Sequence, residues 1–345
     1  MRRVLVTGGA GFVGSNLVAR LLASDIERVV VVDNLLSSEP DNLVPDRRLD
    51  VRVGSIADGA VLRGLGDEFD VVFHLATYHG NETSAARPLD DHANTLFPTL
   101  RLFEHLAGQR GPLRRVVYPS TGCALADRDV PSPRPVKEDG PVPLDYDSPY
   151  QISKVAGEMY AVYYHQRHGL PVVRVRFQNV YGPGEVLGAG RWRGAPATIW
   201  RNVVPSFIYR ALRKQPLPVH DEGATRDFIH VDDIVDGLLL AATATGIEGD
   251  VFNLASGGET VILDIAHLVN ELTGNVAGVQ VVGARAWDRS LARVGDPAKA
   301  AARLGYRART PLRSGLARTV AWTAENLDRI AACIRRHAAY CRVDF

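Results

Sequence analysis

The sequence predicts an α/β fold, a doubly wound parallel sheet that carries a smaller C-terminal α/β lobe, and three observations lead to it. Short apolar runs at residues 4–6, 29–32, 70–75, 115–118 and 170–175 read as strands buried on both faces, with helical patterns between them. The first run opens into Gly8, Gly11 and Gly14 at three-residue spacing, followed by a helix over 15–22. After Tyr181 the βα rhythm gives way to irregular helix, turn and strand signals, apart from an apolar run at 251–254 that returns to the sheet. The expected layout is a sheet domain over 1–180 and 227–255, and a second lobe over 181–226 and 256–345.

In chain order, the stretch RVLVTGGAGFVG at 3–14 is a phosphate cradle. Gly8 permits the tight turn, Gly11 lets the backbone approach a pyrophosphate, and Gly14 lets the helix pack on its strand, with Phe12 and Val13 completing the entry. The helix start adds unpaired N–H groups and the positive end of its dipole. The spacing is G-x-x-G-x-x-G, which shares the logic of the general dinucleotide signature G-x-G-x-x-G. The second strand ends in Asp33-Asn34, where the Asp33 carboxylate is placed to take both ribose hydroxyls of an adenosine. It would repel a 2′-phosphate and no arginine directly follows it, so the reading is NAD rather than NADP.

An alternating strand over 51–56 delivers Ser55 and Ile56 to the adenine side. The strand at 70–75 ends in Leu75-Ala76-Thr77, with His79 in the same loop, at the sheet edge where ligands bind. A helix over 94–106 begins at Asn94. The next strand runs into Ser120-Thr121-Gly122-Cys123, and residues 131–143 form a proline-rich connector. Ser148 reads as an N-cap and Pro149 as the first residue of a helix reaching about His168.

Composition narrows the function classes. The 345 residues carry a formal net charge of +1, so nothing in the composition points to nucleic acid or membrane binding. The 46% hydrophobic content supports a large core without disulfides, and Cys123, Cys333 and Cys341 suggest a reducing compartment. The first strand begins close to Met1 and no apolar run is long enough to span a bilayer, so a cytoplasmic protein is expected. His74, His79, His220 and His230 do not form a zinc pattern, and no metal is expected.

Tyr150 and Lys154 lie four residues apart, one turn along the same helix face. A tyrosine hydroxyl beside an ammonium and a cationic nicotinamide can serve as a base, with Thr121 holding the same substrate oxygen.

With these residues in place the chain resembles the extended short-chain dehydrogenase/reductases, in the NAD-dependent sugar-nucleotide epimerase/dehydratase family. The motifs that carry the resemblance are TGGAGFVG, Asp33, the HLA run at 74–76, Asn94, Ser120-Thr121, Tyr150-Gln-Ile-Ser-Lys154, RFQNVYGP at 176–183 and RDFIHVDD at 226–233. The resemblance implies a Rossmann-like domain that holds NAD, a nucleotide-sugar substrate, and a homodimer built on helices 94–106 and 149–168. It implies that His79, Ser120, Thr121, Gly122, Cys123, Gln178, Asn179, Arg193, Arg226 and Asp288 face the substrate. Arg191, Arg193 and Arg201 in the lid at 184–202 are candidates to clamp its second phosphate, and an ion pair with Asp227 or Asp232 is the alternative role for Arg226. Dehydratases of the family carry Asp-Glu just after the catalytic Thr, where this chain has Gly122-Cys123, so the expected reaction is 4-epimerisation through a 4-keto sugar. The alternatives are 3,5-epimerisation using Cys123, a dehydratase or decarboxylase, and a non-catalytic NAD-binding protein.

Overall fold

The computed structural model describes residues 1–122, 135–283 and 293–340. Cys123, Asp288, Cys341 and the first part of the proline-rich connector lie outside the described residues. Seven strands form one parallel sheet: β1 (Arg3–Thr7), β2 (Arg28–Asp33), β3 (Leu49–Val53), β4 (Val71–His74), β5 (Arg115–Thr121), β6 (Val172–Phe177) and β7 (Val251–Leu254). Their order is β7-β6-β5-β4-β1-β2-β3. The chain winds outward from β1 to β3 and then returns to β4 on the other side of β1. That reversal opens a crevice above the carboxyl ends of β1 and β4.

Side-chain alternation along the strands builds a core on each face. On one face Val4, Val6, Val29 and Val31 pack with Leu17 and Leu21 of α1 (Phe12–Leu22), and with Ile234 and Leu238 of a helix over Val231–Thr243. On the other, Leu5, Val30 and Val72 meet Leu102 and Phe103 of α2 (Phe97–Ala107) and Ala161 of α3 (Pro149–His168). Full burial of each such large aliphatic contributes roughly 2 kcal/mol, which is why both faces must be covered.

All seven expected strands are present, with two local differences. The strand expected over 51–56 is Leu49–Val53; Gly54 N–H makes a final bond to Asp33 O, and Ser55 and Ile56 leave the sheet toward the crevice. The helix expected over 94–106 begins as a π-turn at His92–Leu96 and becomes α2 only at Phe97. Pro98 has no N–H to bond four residues back, so the regular turn cannot close there. At α3 the expected start is found: the Ser148 hydroxyl accepts from Gln151 N–H at 3.4 Å, Pro149 follows, and Gly169 ends the helix at φ +66°.

The second lobe has its own core, where Val204, Phe207 and Ile208 of Val203–Leu212 pack with Ile265 and Val269 of Ile262–Thr273 and with Leu316. A lid at 184–202 lies over the crevice and is anchored from outside. Val186, Leu187 and Ile199 pack against Ile330 and Ile334 of Leu327–Arg335, and His337 Nε2 donates to Gly188 O at 2.8 Å. Trp192 stacks on Tyr340 with ring centres 5.6 Å apart. Among the described residues no helix is long and apolar enough to cross a membrane.

Candidate functional site

A cavity of about 380 Å³ fills the crevice between the sheet ends and the lid. At its floor the glycine turn is shaped by close approach. Gly8 has φ +73°, and a Cβ there would stand 2.6 Å from Ala76 N, so only glycine lets β1 turn beneath the β4 loop. A Cβ on Gly14 would stand 2.2 Å from Gly8 O, which is how tightly α1 starts against the turn. Gly11 is the N-cap and supplies no side-chain acceptor, leaving first-turn N–H groups for an anion beside the positive dipole end.

Asp33 is buried at the end of β2. Its carboxylate accepts from Ala10 N–H at 3.0 Å, Leu35 N–H at 2.9 Å and the Ser38 hydroxyl at 2.8 Å. A carboxylate offers about four acceptor positions, so one more donor can be accommodated. Asp33 thereby ties the glycine turn to the loop after β2 and keeps an acceptor position toward the cavity. Every residue expected to contact the cofactor lines this same cavity.

Thr121 at the end of β5 and Tyr150 and Lys154 on the first turns of α3 form the next part of the wall. The Tyr150 N–H donates to the Ser84 hydroxyl at 3.1 Å, fixing the start of the helix. Lys154 is buried, with Nζ 4.7 Å from the centre of the Tyr118 ring. Burial brings its pKa down to about 8, while Glu158 and Asp91 oppose the fall. It therefore carries its charge at neutral pH. Glu158 is held by Arg176 through a two-point contact at 2.8 and 2.7 Å, and Asp91 accepts from the Ser153 hydroxyl at 2.6 Å.

The histidines separate by role. His74 is buried between the Thr7 and Thr99 hydroxyls at 2.7 and 2.9 Å, and burial pushes its pKa down to about 3, so it is a neutral structural group. His79 lines the cavity with its ring edge-on to Tyr150, 5.8 Å between centres. Burial first, then the Arg201 and Arg193 charges, push its pKa down to about 4.

At the far end Gln178, Asn179, Arg226 and Arg293 line the cavity. The expected alternative, pairing of Arg226 with Asp227 or Asp232, gives way to other roles for both carboxylates. Asp232 pairs with Arg318 at 2.8 Å, and Asp227 accepts from Ser256, Gly257 and Gly295 N–H groups and the Ser256 hydroxyl. Asp227 thereby pins the loop that carries Arg293, whose carbonyl accepts from Asp227 N–H at 2.9 Å.

Two expected substrate residues stand off the cavity. Gly122 is covered by the Gln178 side chain, which a Cβ would meet at 2.2 Å. Arg193 is buried behind Tyr78, stacked 4.8 Å from that ring, and none of its guanidinium nitrogens has a hydrogen-bond partner among the described residues. Burial brings its pKa down to about 9. Of the three lid arginines proposed as a phosphate clamp, only Arg201 lines the cavity. Ser120 is buried, its hydroxyl without a hydrogen-bond partner among the described residues. Arg293, Glu185 and Asn202 line the cavity and were missed, because they lie in stretches with no periodicity to place them. Among the described residues no group of three or more His, Cys, Asp and Glu is arranged to hold a metal.

A glycine turn, an acidic strand end and a Tyr-Lys helix face on one cleft define an α/β enzyme that binds a dinucleotide beside a second ligand. The chain belongs to the NAD dependent epimerase/dehydratase family, whose model matches residues 4–255. It is 33% identical over 339 residues to dTDP-glucose 4,6-dehydratase of Actinoplanes sp., covering 94% of this chain and 98% of that one. It is 33% identical over 323 residues to UDP-glucose 4-epimerase of Mycolicibacterium smegmatis, covering 92% and 97%. UDP-glucuronic acid decarboxylases of Arabidopsis thaliana are also similar, the first at 32% identity over 92% of this chain and 69% of that one. Among solved structures, the Bordetella bronchiseptica enzyme WbmF in complex with NAD+ and UDP is 48% identical with a TM-score of 0.88, covering 98% of this chain and 97% of that one. The cofactor of the family is NAD, and its nucleotide-sugar enzymes include epimerases, dehydratases and decarboxylases.

Proposed function

We propose that this chain is an NAD-dependent epimerase of a nucleotide-activated sugar, inverting C4 through a transient 4-keto sugar. The observation that carries the reading is that Thr121, Tyr150 and Lys154 share one cavity with the glycine turn and Asp33 at one end and Arg226 and Arg293 at the other. When bound, NAD supplies the acceptor for hydride from the sugar carbon and its return. Its fit rests on the uncapped start of α1 for pyrophosphate and the remaining acceptor position of Asp33 for a ribose hydroxyl.

Tyr150, starting as the phenolate, takes the proton of the sugar hydroxyl as the keto group forms and hydride leaves the carbon, and gives it back once the other face is presented. Lys154, positive below about pH 8, favours that phenolate before the proton is taken. Thr121 donates to the same sugar oxygen. Arg226 and Arg293 offer guanidinium forks to the diphosphate, so the sugar turns about a fixed tether. The likeness to WbmF, solved with NAD+ and UDP, supports uridine diphosphate as the nucleotide. Gly122, where dehydratases carry an acid, leaves no proton shuttle at that position and favours epimerisation.

We further read the protein as a cytoplasmic homodimer. Phe97 on α2 and Ile152, Met159, Tyr160 and Tyr163 on α3 are 41–56% exposed, an apolar face that a second copy would cover. Proton NMR of the purified holoenzyme in deuterated water, with UDP-, dTDP- and GDP-sugars and no added cofactor, tests the reaction. The expected product is the C4 epimer without deuterium on carbon. Deuterium at C3 or C5 would replace this reading with 3,5-epimerisation.

A further inference from the structure

The lid brings two polar side chains to the cavity that the mechanism above does not use, Glu185 and Asn202. Asn202 Nδ2 donates to Glu185 Oε1, and Asn202 Oδ1 faces His79 Nε2 at 3.4 Å. Glu185 is pushed up to about 7 by burial, and its Oε1 accepts both when the group is ionised and when the proton sits on Oε2. With Oε1 as acceptor, the amide turns its nitrogen toward Glu185 and its oxygen toward the ring. An amide oxygen at Nε2 calls for the proton on Nε2. Burial and the neighbouring Arg201 and Arg193 charges disfavour the imidazolium at neutral pH, and this contact favours the neutral Nε2–H tautomer. Its Nδ1 is then an acceptor with no hydrogen-bonding partner among the described residues, on a ring that lines the cavity and abuts Tyr150.

We propose that His79 Nδ1 is a specificity-determining acceptor for a donor on the sugar, a hydroxyl or amide N–H beside the reacting carbon, and that Glu185 is the positioning residue that sets its tautomer through Asn202. The ligand half rests on the nucleotide-sugar reading; the tautomer half does not. The arrangement also gives the lid a function at the sugar: when the lid is seated, Asn202 reaches His79 and the acceptor is aimed, and when it is displaced the ring is free to exchange tautomers.

The test is nitrogen NMR of the holoenzyme labelled with 15N-histidine, with the His79 signals identified by their loss in His79→Asn. The wild-type ring is expected to carry its proton on Nε2 and to keep a lone-pair signal at Nδ1. Addition of UDP-glucose or UDP-N-acetylglucosamine should move the Nδ1 signal, and UDP alone should not. Glu185→Leu frees the Asn202 amide to turn and should give a mixture of tautomers. Asn202→Asp, whose carboxylate only accepts, should preserve the Nε2–H form.

By calorimetry, His79→Phe should weaken the UDP-sugar about three- to tenfold, the scale of one hydrogen bond, with UDP affinity unchanged. His79→Asn, whose Oδ1 replaces Nδ1 at the same distance from Cβ, should restore most of it. A wild-type imidazolium or Nδ1–H tautomer overturns the inference with no variant needed. So does an Nδ1 signal unmoved by a UDP-sugar that binds more tightly than UDP. If neither UDP nor the UDP-sugars bind, the nucleotide-sugar reading fails and takes the ligand half with it, while the tautomer measurement stands apart.

Discussion

The two ends of the cavity are built on opposite terms. At the sheet end, Asp33 already accepts from three donors of its own chain, and the glycine turn is held by contacts that allow no Cβ at Gly8 or Gly14. At the lid, buried polar atoms have no partner among the described residues: Oε2 of Glu185 and all three guanidinium nitrogens of Arg193. A buried polar group without a partner costs about 1–3 kcal/mol, and an unpaired charge more. The sheet end is thus held in shape by its own chain before any ligand arrives, whereas the lid holds its polar groups at a cost that a different lid position or a bound ligand can relieve.

The largest effect tests the wall between the two. Tyr150→Phe should reduce turnover about 10³-fold while leaving thermal stability unchanged, since proton transfer is lost and packing is not. A mild loss in a steady-state assay would remove Tyr150 from the chemistry.

Next, Asp33→Ala should cost about 3 kcal/mol in urea unfolding, because three donors lose one acceptor together. Stability within experimental error of wild type would mean that the sheet end is not prebuilt. At the lid the sign should reverse: Arg193→Leu should raise stability by about 2 kcal/mol, because it removes a buried charge that no carboxylate answers. A loss of similar size would erase the contrast.

The smallest effect is a pH trend of opposed signs. Lys154 holds a pKa of about 8 in the fold against an ordinary 10.5, so turnover should fall as pH rises through about 8 and the charge is lost. Between about 8 and 10.5 the unfolded chain binds the additional proton, so stability should rise with pH over that window. Lys154→Met should flatten both trends, in rate and in chemical unfolding. With His74 and His79 at about 3 and 4, neither should add an inflection near pH 6.5.

What was legible in the sequence follows the same division. The seven strands, the glycine turn, Asp33 and the start of α3 were readable because each is written in adjacent residues: apolar runs, three-residue glycine spacing, a Ser-Pro cap. The π-turn before Phe97 was missed although Pro98 signalled it locally, because the apolar pattern continues across it. Glu185, Asn202 and Arg293 were not readable, and Arg193 was expected at the substrate although it stacks behind Tyr78. Their positions depend on partners far along the chain, His79 for Asn202 and Asp227 for the Arg293 loop, and no local period records such contacts.

The anchoring of the lid from outside also has a consequence in time. Lid residues 184–202 are held by Leu327–Arg335, by His337 on Gly188 and by Glu39, which accepts from both Gly190 N–H and Arg336. During translation the cradle and the sheet are exposed and paired well before residues 327–337 emerge, an interval on the order of ten seconds. A nascent chain therefore has its nucleotide cradle while its lid still lacks a clasp.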